Sequence, residues 1–126
     1  MEKQIDPKTV ALQFNSYINN KDLSGLLKLM ADDHTLIDSA NNVLYGIDEC
    51  KKSWTDFFAL WPDYENVFQT VTSKGTMVTM QGYSICSDKR LNGRGIWTAR
   101  IEDEKVSEWR IYLETEDNLR NLGLSV

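Results

Sequence analysis

The sequence predicts an α+β fold, with three helices in its first half and a mainly antiparallel sheet in its second. Three observations predict it. Apolar residues recur at helical spacing up to about residue 61. From Tyr64 onward the pattern changes to long segments rich in Val, Thr, Ile, Tyr and Trp, and the connections between those segments are short. Helices first and strands afterwards, without regular alternation, separates α+β from a parallel α/β sheet.

Asp6-Pro7 starts the first helix, with Asp as the cap and Pro at the first helical position. Val10, Phe14, Tyr17 and Ile18 then share one face. Asn19-Asn20-Lys21 breaks that helix and Asp22 caps the second, where Leu23, Leu26, Leu27 and Met30 repeat the pattern. Asp32-Asp33 is expected to end the helix pair. A short strand from His34 to Asp38 follows, then turn chemistry in Ser39-Ala40-Asn41-Asn42 and a returning strand, Val43-Leu44-Tyr45. After Gly46 a third helix runs to about Trp61, where Pro62 stops it. Its face carries Ile47, Cys50, Trp54, Phe57, Phe58 and Trp61.

Four strands are expected over 64–73, 76–87, 94–102 and 105–114. Ser73-Lys74-Gly75 and Asp103-Glu104 read as tight hairpins, and Ser87 to Gly93 as a longer polar loop. Such short connections require antiparallel neighbours. Glu116 to Leu122 makes a last helical turn, ended by Gly123. Without repeats, linkers or low-complexity stretches, residues 1–126 read as one domain, a length sufficient for a real core.

Composition narrows the function. The net charge is −5 with acidic residues scattered, and the nearest basic cluster is the short loop Lys89-Arg90 with Arg94, so nucleic acid is not an expected partner. Cys50 and Cys86 fall in segments that read as buried, and a single histidine argues against a metal site. No metal or organic cofactor is expected. The N-terminal residues have no apolar signal core and no stretch approaches membrane-spanning length, which points to a cytoplasmic protein with no membrane partner.

The order helix, helix, short strand, helix, four long strands resembles the nuclear transport factor 2-like superfamily, and more narrowly its SnoaL-like, polyketide cyclase-like branch. The local carriers are Asn20-Lys21-Asp22-Leu23 leading to Leu29-Met30-Ala31-Asp32-Asp33, Tyr45-Gly46-Ile47, Trp61-Pro62-Asp63, and Glu108-Trp109-Arg110-Ile111-Tyr112-Leu113-Glu114. The resemblance covers nearly the whole chain. It implies a cone-shaped α+β barrel, with three N-terminal helices packed on a strongly curved sheet around an apolar pocket. It also implies that His34, Leu36 and Asp38 share the inner face, with Trp97, Ala99 and Ile101 and with Trp109, Ile111 and Leu113. Glu108, Arg110 and Tyr112 then lie on the outer face, where many relatives form homodimers.

The same resemblance assigns candidate chemistry. Asp38 stands where ketosteroid isomerase-like relatives carry their general base, and a carboxylate at the mouth of an apolar pocket is expected to have a raised pKa. The alternative is a turn-former, since Asp38-Ser39 opens a turn. The rest of that isomerase site is missing, with Phe14 and Trp97 at the positions of its enolate-stabilising Tyr and Asp. Tyr17, one turn on, is a substitute donor or a core residue. The Asp-Arg-Asp set of limonene epoxide hydrolase-like relatives is also absent, since Ile111 follows Trp109-Arg110. Single-acid polyketide cyclases are the least excluded comparison. His34 is either an assisting group for Asp38 or a strand-entry histidine bonded to backbone.

Phe14, Tyr17, Trp54, Phe58, Trp61, Trp97, Trp109 and Ile111 are the expected ligand-binding residues. Trp54 is also readable as plain core, and Trp61 sits at the mouth. The expectation is a small, mostly apolar molecule bound in the cone, with acid/base conversion as a further step. The rival is a non-catalytic dimerisation or interaction module, and an enclosed volume of roughly 300 Å³ or more favours the ligand site. The inward or outward facing of Glu114 is left open.

Overall fold

A computed structural model describes residues 5–125. Asp6 caps α1 (Pro7–Asn19), its side chain accepting from Lys8 N at 2.9 Å. Val10, Ala11, Phe14 and Ile18 make the buried stripe of this helix. Asp22 caps α2 (Leu23–Leu29) in the same way, accepting from Gly25 N at 3.0 Å. This helix stops at Leu29, earlier than the Asp32-Asp33 end read from the sequence. Met30 is already extended, with φ −77° and ψ 132°, and pairs with Val106, so strand pairing overrides the helical pattern. The first strand, β1, is therefore Met30–Ile37, longer than expected, and Asp38 lies just past its end.

The remaining elements are β2 (Val43–Tyr45), α3 (Ile47–Leu60), β3 (Glu65–Lys74), β4 (Met77–Ile85), β5 (Gly93–Glu102), β6 (Lys105–Leu113) and α4 (Glu116–Asn121). The β3–β4 turn falls at Gly75-Thr76, slightly beyond the stretch expected to form it. The six strands form one sheet in the order β2-β1-β6-β5-β4-β3. All neighbours are antiparallel except β1 and β6, which are parallel because the last long strand returns beside the first. Register irregularities in β1, β3 and at Arg100/Ile101 of the β5–β6 pair interrupt the ladders. Each such bulge bends its strand and sharpens the twist.

Pairing sorts the faces. Trp97 lies opposite Ile111 on one side and Met80 on the other; Ala99 lies opposite Trp109 and Val78. These residues, with Phe14, Ile18, Leu26, Leu36 and Trp54, form one hydrophobic core. Fully burying a side chain of this kind stabilises by about 1.5–3 kcal/mol, so this face holds the fold together. The intervening residues Gln81, Arg94, Thr98, Arg110 and Tyr112 alternate onto the other face. Among the described residues no helix is long and apolar enough to cross a membrane.

Candidate functional site

Between α3 and the sheet lies a cavity of about 410 Å³. Leu36 of β1, Trp54 and Phe57 of α3, Trp97 of β5, and Trp109 and Ile111 of β6 give it apolar walls. Tyr64 and Asn66 line it from the start of β3. Its mouth runs between the Asp38-Ser39-Ala40 turn and the loop Arg90–Gly93, with the exposed Leu113 beside it. The strand parity expected for Trp97, Trp109, Ile111 and Leu113 therefore matches this wall.

Asp38 reaches the mouth but not as expected. Its Oδ1 accepts from the backbone N–H groups of Ala40 and Asn42, each at 2.9 Å, and its Oδ2 accepts from Asn42 Nδ2 at 3.0 Å. Burial alone would push this carboxyl up. The bonds from Asn42 and Ala40 outweigh it and hold the pKa below the ordinary value, contrary to the raised pKa expected. The residue is an ionised turn-former at the rim.

His34 is fully buried, with Nδ1 at 2.6 Å from Val106 O. A carbonyl only accepts, so this contact makes Nδ1 the protonated nitrogen and leaves Nε2 a lone pair with no partner. Burial pushes the imidazole pKa down, against the pull of the Val106 bond. Its ring neighbours Phe14, with 5.6 Å between centroids, and it makes no hydrogen bond to Asp38. The expected Asp38–His34 pair is therefore not assembled; the backbone carbonyl of β6 claims the histidine instead.

Four other residues expected on the wall sit elsewhere. Phe14 is sealed in the core, 4.8 Å from the Trp109 ring and behind it. Tyr17 packs over α2, where a Cβ on Gly25 would come within 2.5 Å of its ring, and its hydroxyl accepts from Gln13 Nε2. Phe58 packs against Trp54 and Phe57 outside the cavity. The helical phase of α3 turns Phe57 inward in its place. Trp61 is drawn to the mouth loop, donating from Nε1 to Asp88 Oδ2 at 3.1 Å. Glu114 also stays off the wall, paired with Arg94 and accepting from Gln81 Nε2 at 2.6 Å.

Sequence reasoning missed Asn66. It is 4% exposed, donating from Nδ2 to Asn15 Oδ1 at 3.1 Å, while its backbone N–H and carbonyl both bond the Asn19 side chain. An asparagine inside a strand of apolar and β-branched residues is the signal that marked it, because strands are depleted in Asn. Its Oδ1 has no partner, nor do the indole N–H groups of Trp54, Trp97 and Trp109. Burial pushes the Tyr64 hydroxyl up to about 12, so it stays neutral. No group of His, Cys, Asp and Glu among the described residues has the arrangement to hold a metal ion.

A family model described as SnoaL-like domain matches residues 11–109. Among curated proteins none matches the sequence. Solved structures share the fold. An NTF2-like protein of unknown function from Cytophaga hutchinsonii superposes with a TM-score of 0.74 at 14% identity, over 98% of this chain and 99% of that one. A candidate SnoaL-like polyketide cyclase from Shewanella putrefaciens gives 0.77 at 12% identity, over 96% and 88%. TerC, co-crystallised with polyporic acid, gives 0.74 at 13% identity, over 91% and 97%. At these identities the likeness is one of fold.

Proposed function

The chain belongs to the SnoaL-like domain family of the nuclear transport factor 2-like superfamily, and from that premise we propose that it binds a small, mostly apolar molecule in its cone. The observation that carries this reading is the cavity itself. At about 410 Å³ it exceeds the roughly 300 Å³ at which ligand sites begin, and three tryptophans line it without filling it. TerC, a protein of this fold, was co-crystallised with polyporic acid, which supports reading this chain as a binder of a small molecule.

Binding is favoured over acid/base conversion by Asp38. A general base needs a pKa near the working pH and a free lone pair facing substrate. The Asp38 carboxylate has the reverse, a lowered pKa and three donors from its own turn. His34, buried against Phe14 with its Nδ1–H given to Val106 O, is no better placed. We also propose that two copies pair through the sheet face opposite the core, which carries Arg110 and Tyr112.

The test is to purify the protein and identify any co-purifying small molecule by mass spectrometry, beside the variant Ile111→Trp. Wild type should carry a molecule that Ile111→Trp lacks while keeping its circular dichroism spectrum. A folded Ile111→Trp that retains the same molecule would remove the cavity as the binding site.

A further inference from the structure

We propose that the cone selects a molecule carrying an N–H or O–H donor, and that the Tyr64 hydroxyl reads this donor as an acceptor. The inference rests on the binding reading above and deepens it.

Leu91, Ser84 and Tyr64 fix the direction of a chain of hydrogen bonds. The Leu91 carbonyl has no proton to give, so the Ser84 hydroxyl donates to it. A serine hydroxyl has one proton, which leaves Ser84 Oγ only lone pairs for the bond it shares with the Tyr64 hydroxyl. Tyr64 is therefore the donor in that bond. Burial pushes its pKa up to about 12, so the proton stays on the phenol across the working range of pH. With that proton committed to Ser84, the Tyr64 oxygen has lone pairs alone to offer a third group.

The third group comes from the cavity. Tyr64, Ser84 and Leu91 all line it, so the hydroxyl between the first two lies at its surface. The indole nitrogens of Trp54, Trp97 and Trp109 and the Asn66 amide oxygen are sealed away, whereas Tyr64 keeps 9% of its surface open. The ring is also held in place. Phe57 packs on it edge to face at 4.8 Å between centroids, its backbone N–H donates to Trp61 O at 3.1 Å, and its carbonyl accepts from Lys21 Nζ. The other polar side chains of the wall discriminate less. Ser53 lines the cavity from α3, but a serine hydroxyl turns to donate or accept as its partner demands. Ser39 and Asn92 stand at the exposed mouth, where water competes.

An acceptor fixed on an apolar wall sorts ligands by polarity. An alcohol, a phenol or an N–H heterocycle completes the chain. A ketone or an ether brings lone pairs against lone pairs, and gives up its bonds to water without replacing them. A hydrocarbon leaves the Tyr64 lone pair unmet but strips no polar group of its own.

The experiment uses the full chain and three bicyclic probes of similar size: indole, which donates, 1-indanone, which only accepts, and indene, which does neither. Binding is followed in ¹H–¹⁵N spectra, with the Trp54 and Trp97 side chains as reporters of the cavity. Indole should bind about fivefold more tightly than indene, the worth of one neutral hydrogen bond, and 1-indanone should bind more weakly than either. In Tyr64→Phe, which keeps the ring, indole and indene should bind alike. In Ser84→Ala the Tyr64 proton is released to the cavity, and 1-indanone should overtake indene. Equal binding of the three by wild type, or a preference for 1-indanone, overturns the inference and leaves the binding reading standing. An indole preference that survives in folded Tyr64→Phe also overturns it, and 1-indanone still trailing indene in folded Ser84→Ala overturns the direction of the chain. If no probe moves the Trp54 or Trp97 signals, the inference and the binding reading fall together. The wild-type series decides the polarity of the site even if a variant does not fold.

Discussion

Asn42 holds the Asp38 carboxylate at both oxygens, through its backbone N–H at Oδ1 and its side-chain amide at Oδ2. Asp38→Asn would set one Nδ2 donor against another and remove the charge that strengthens the remaining bonds. The variant should lose about 1 kcal/mol at neutral pH. Because the folded pKa is lowered, the carboxylate stabilises above its unfolded value of about 3.9, and that contribution fades as pH falls through the folded value. Thermal melts of the two proteins should therefore differ at pH 7 and converge in strong acid. Equal midpoints at pH 7 would show that the turn does not need the charge.

His34 gives the opposite end of the pH scale. It is the chain's one histidine, so its titration is unobscured. Burial lowers its pKa in the fold, and the unfolded chain takes up a proton more readily. Stability from this group is complete above about pH 6.5 and is lost as pH falls from there towards the folded value. The imidazole signals should titrate below the free value of about 6.5, and unfolding just below that pH should take up protons. Titration with a midpoint near 6.5 would mean that the ring is solvated.

These two residues show what was legible in the sequence. The elements were, because capping at Asp6 and Asp22, the Pro62 stop and the strand composition act locally. The inward facing of Trp97 and Ile111 came from the family resemblance, and the register that pairs the two residues agrees with it. Who bonds to whom was not legible. His34 is claimed by Val106, across the only parallel pairing in the sheet, and Asp38 by a residue of its own turn. Asn66 depends on Asn15 and Asn19, one helical turn apart on α1, a contact no pattern in β3 announces. The choice of Phe57 over Phe58 rests on the exact phase of α3, which an almost wholly aromatic face leaves ambiguous.

Gly82 tests the bend that shapes the cone. It lies opposite Phe68, beside the bulge of β3. A Cβ there would sit 1.9 Å from Val67 O and 2.9 Å from Phe68 Cα, both backbone atoms that cannot step aside. Overpacking commonly costs about 1–3 kcal/mol, and a clash with backbone belongs at the upper end or beyond. Gly82→Ala should lower the unfolding midpoint in urea accordingly, and should also weaken any ligand, because Phe68 supports Trp97. A variant as stable as wild type would mean that the strands separate easily and that the bulge is not fixed.

The face opposite the core makes the last prediction. Arg110 lies 4.6 Å over the Tyr112 ring, and its Nη2 donates to Asn41 Oδ1 at 3.1 Å. Its Nε is buried without a partner, as is the hydroxyl of Thr98, its register partner on β5. The Arg110–Tyr112 cation–aromatic pair, held in place by Asn41 on the face opposite the core, suits a self-complementary contact about a two-fold axis. A stable pair should bury on the order of 1,000 Å² or more in total. Sedimentation equilibrium at micromolar concentration should then return twice the chain mass of 14.5 kDa. Tyr112→Glu, which brings two carboxylates together across the axis, should return the single mass with the fold intact. Wild type that stays at 14.5 kDa as concentration rises would sink the pairing. A dimer indifferent to both Tyr112→Glu and Arg110→Glu would move it to another surface, the exposed Val43 and Tyr45 of edge strand β2 being the next to examine.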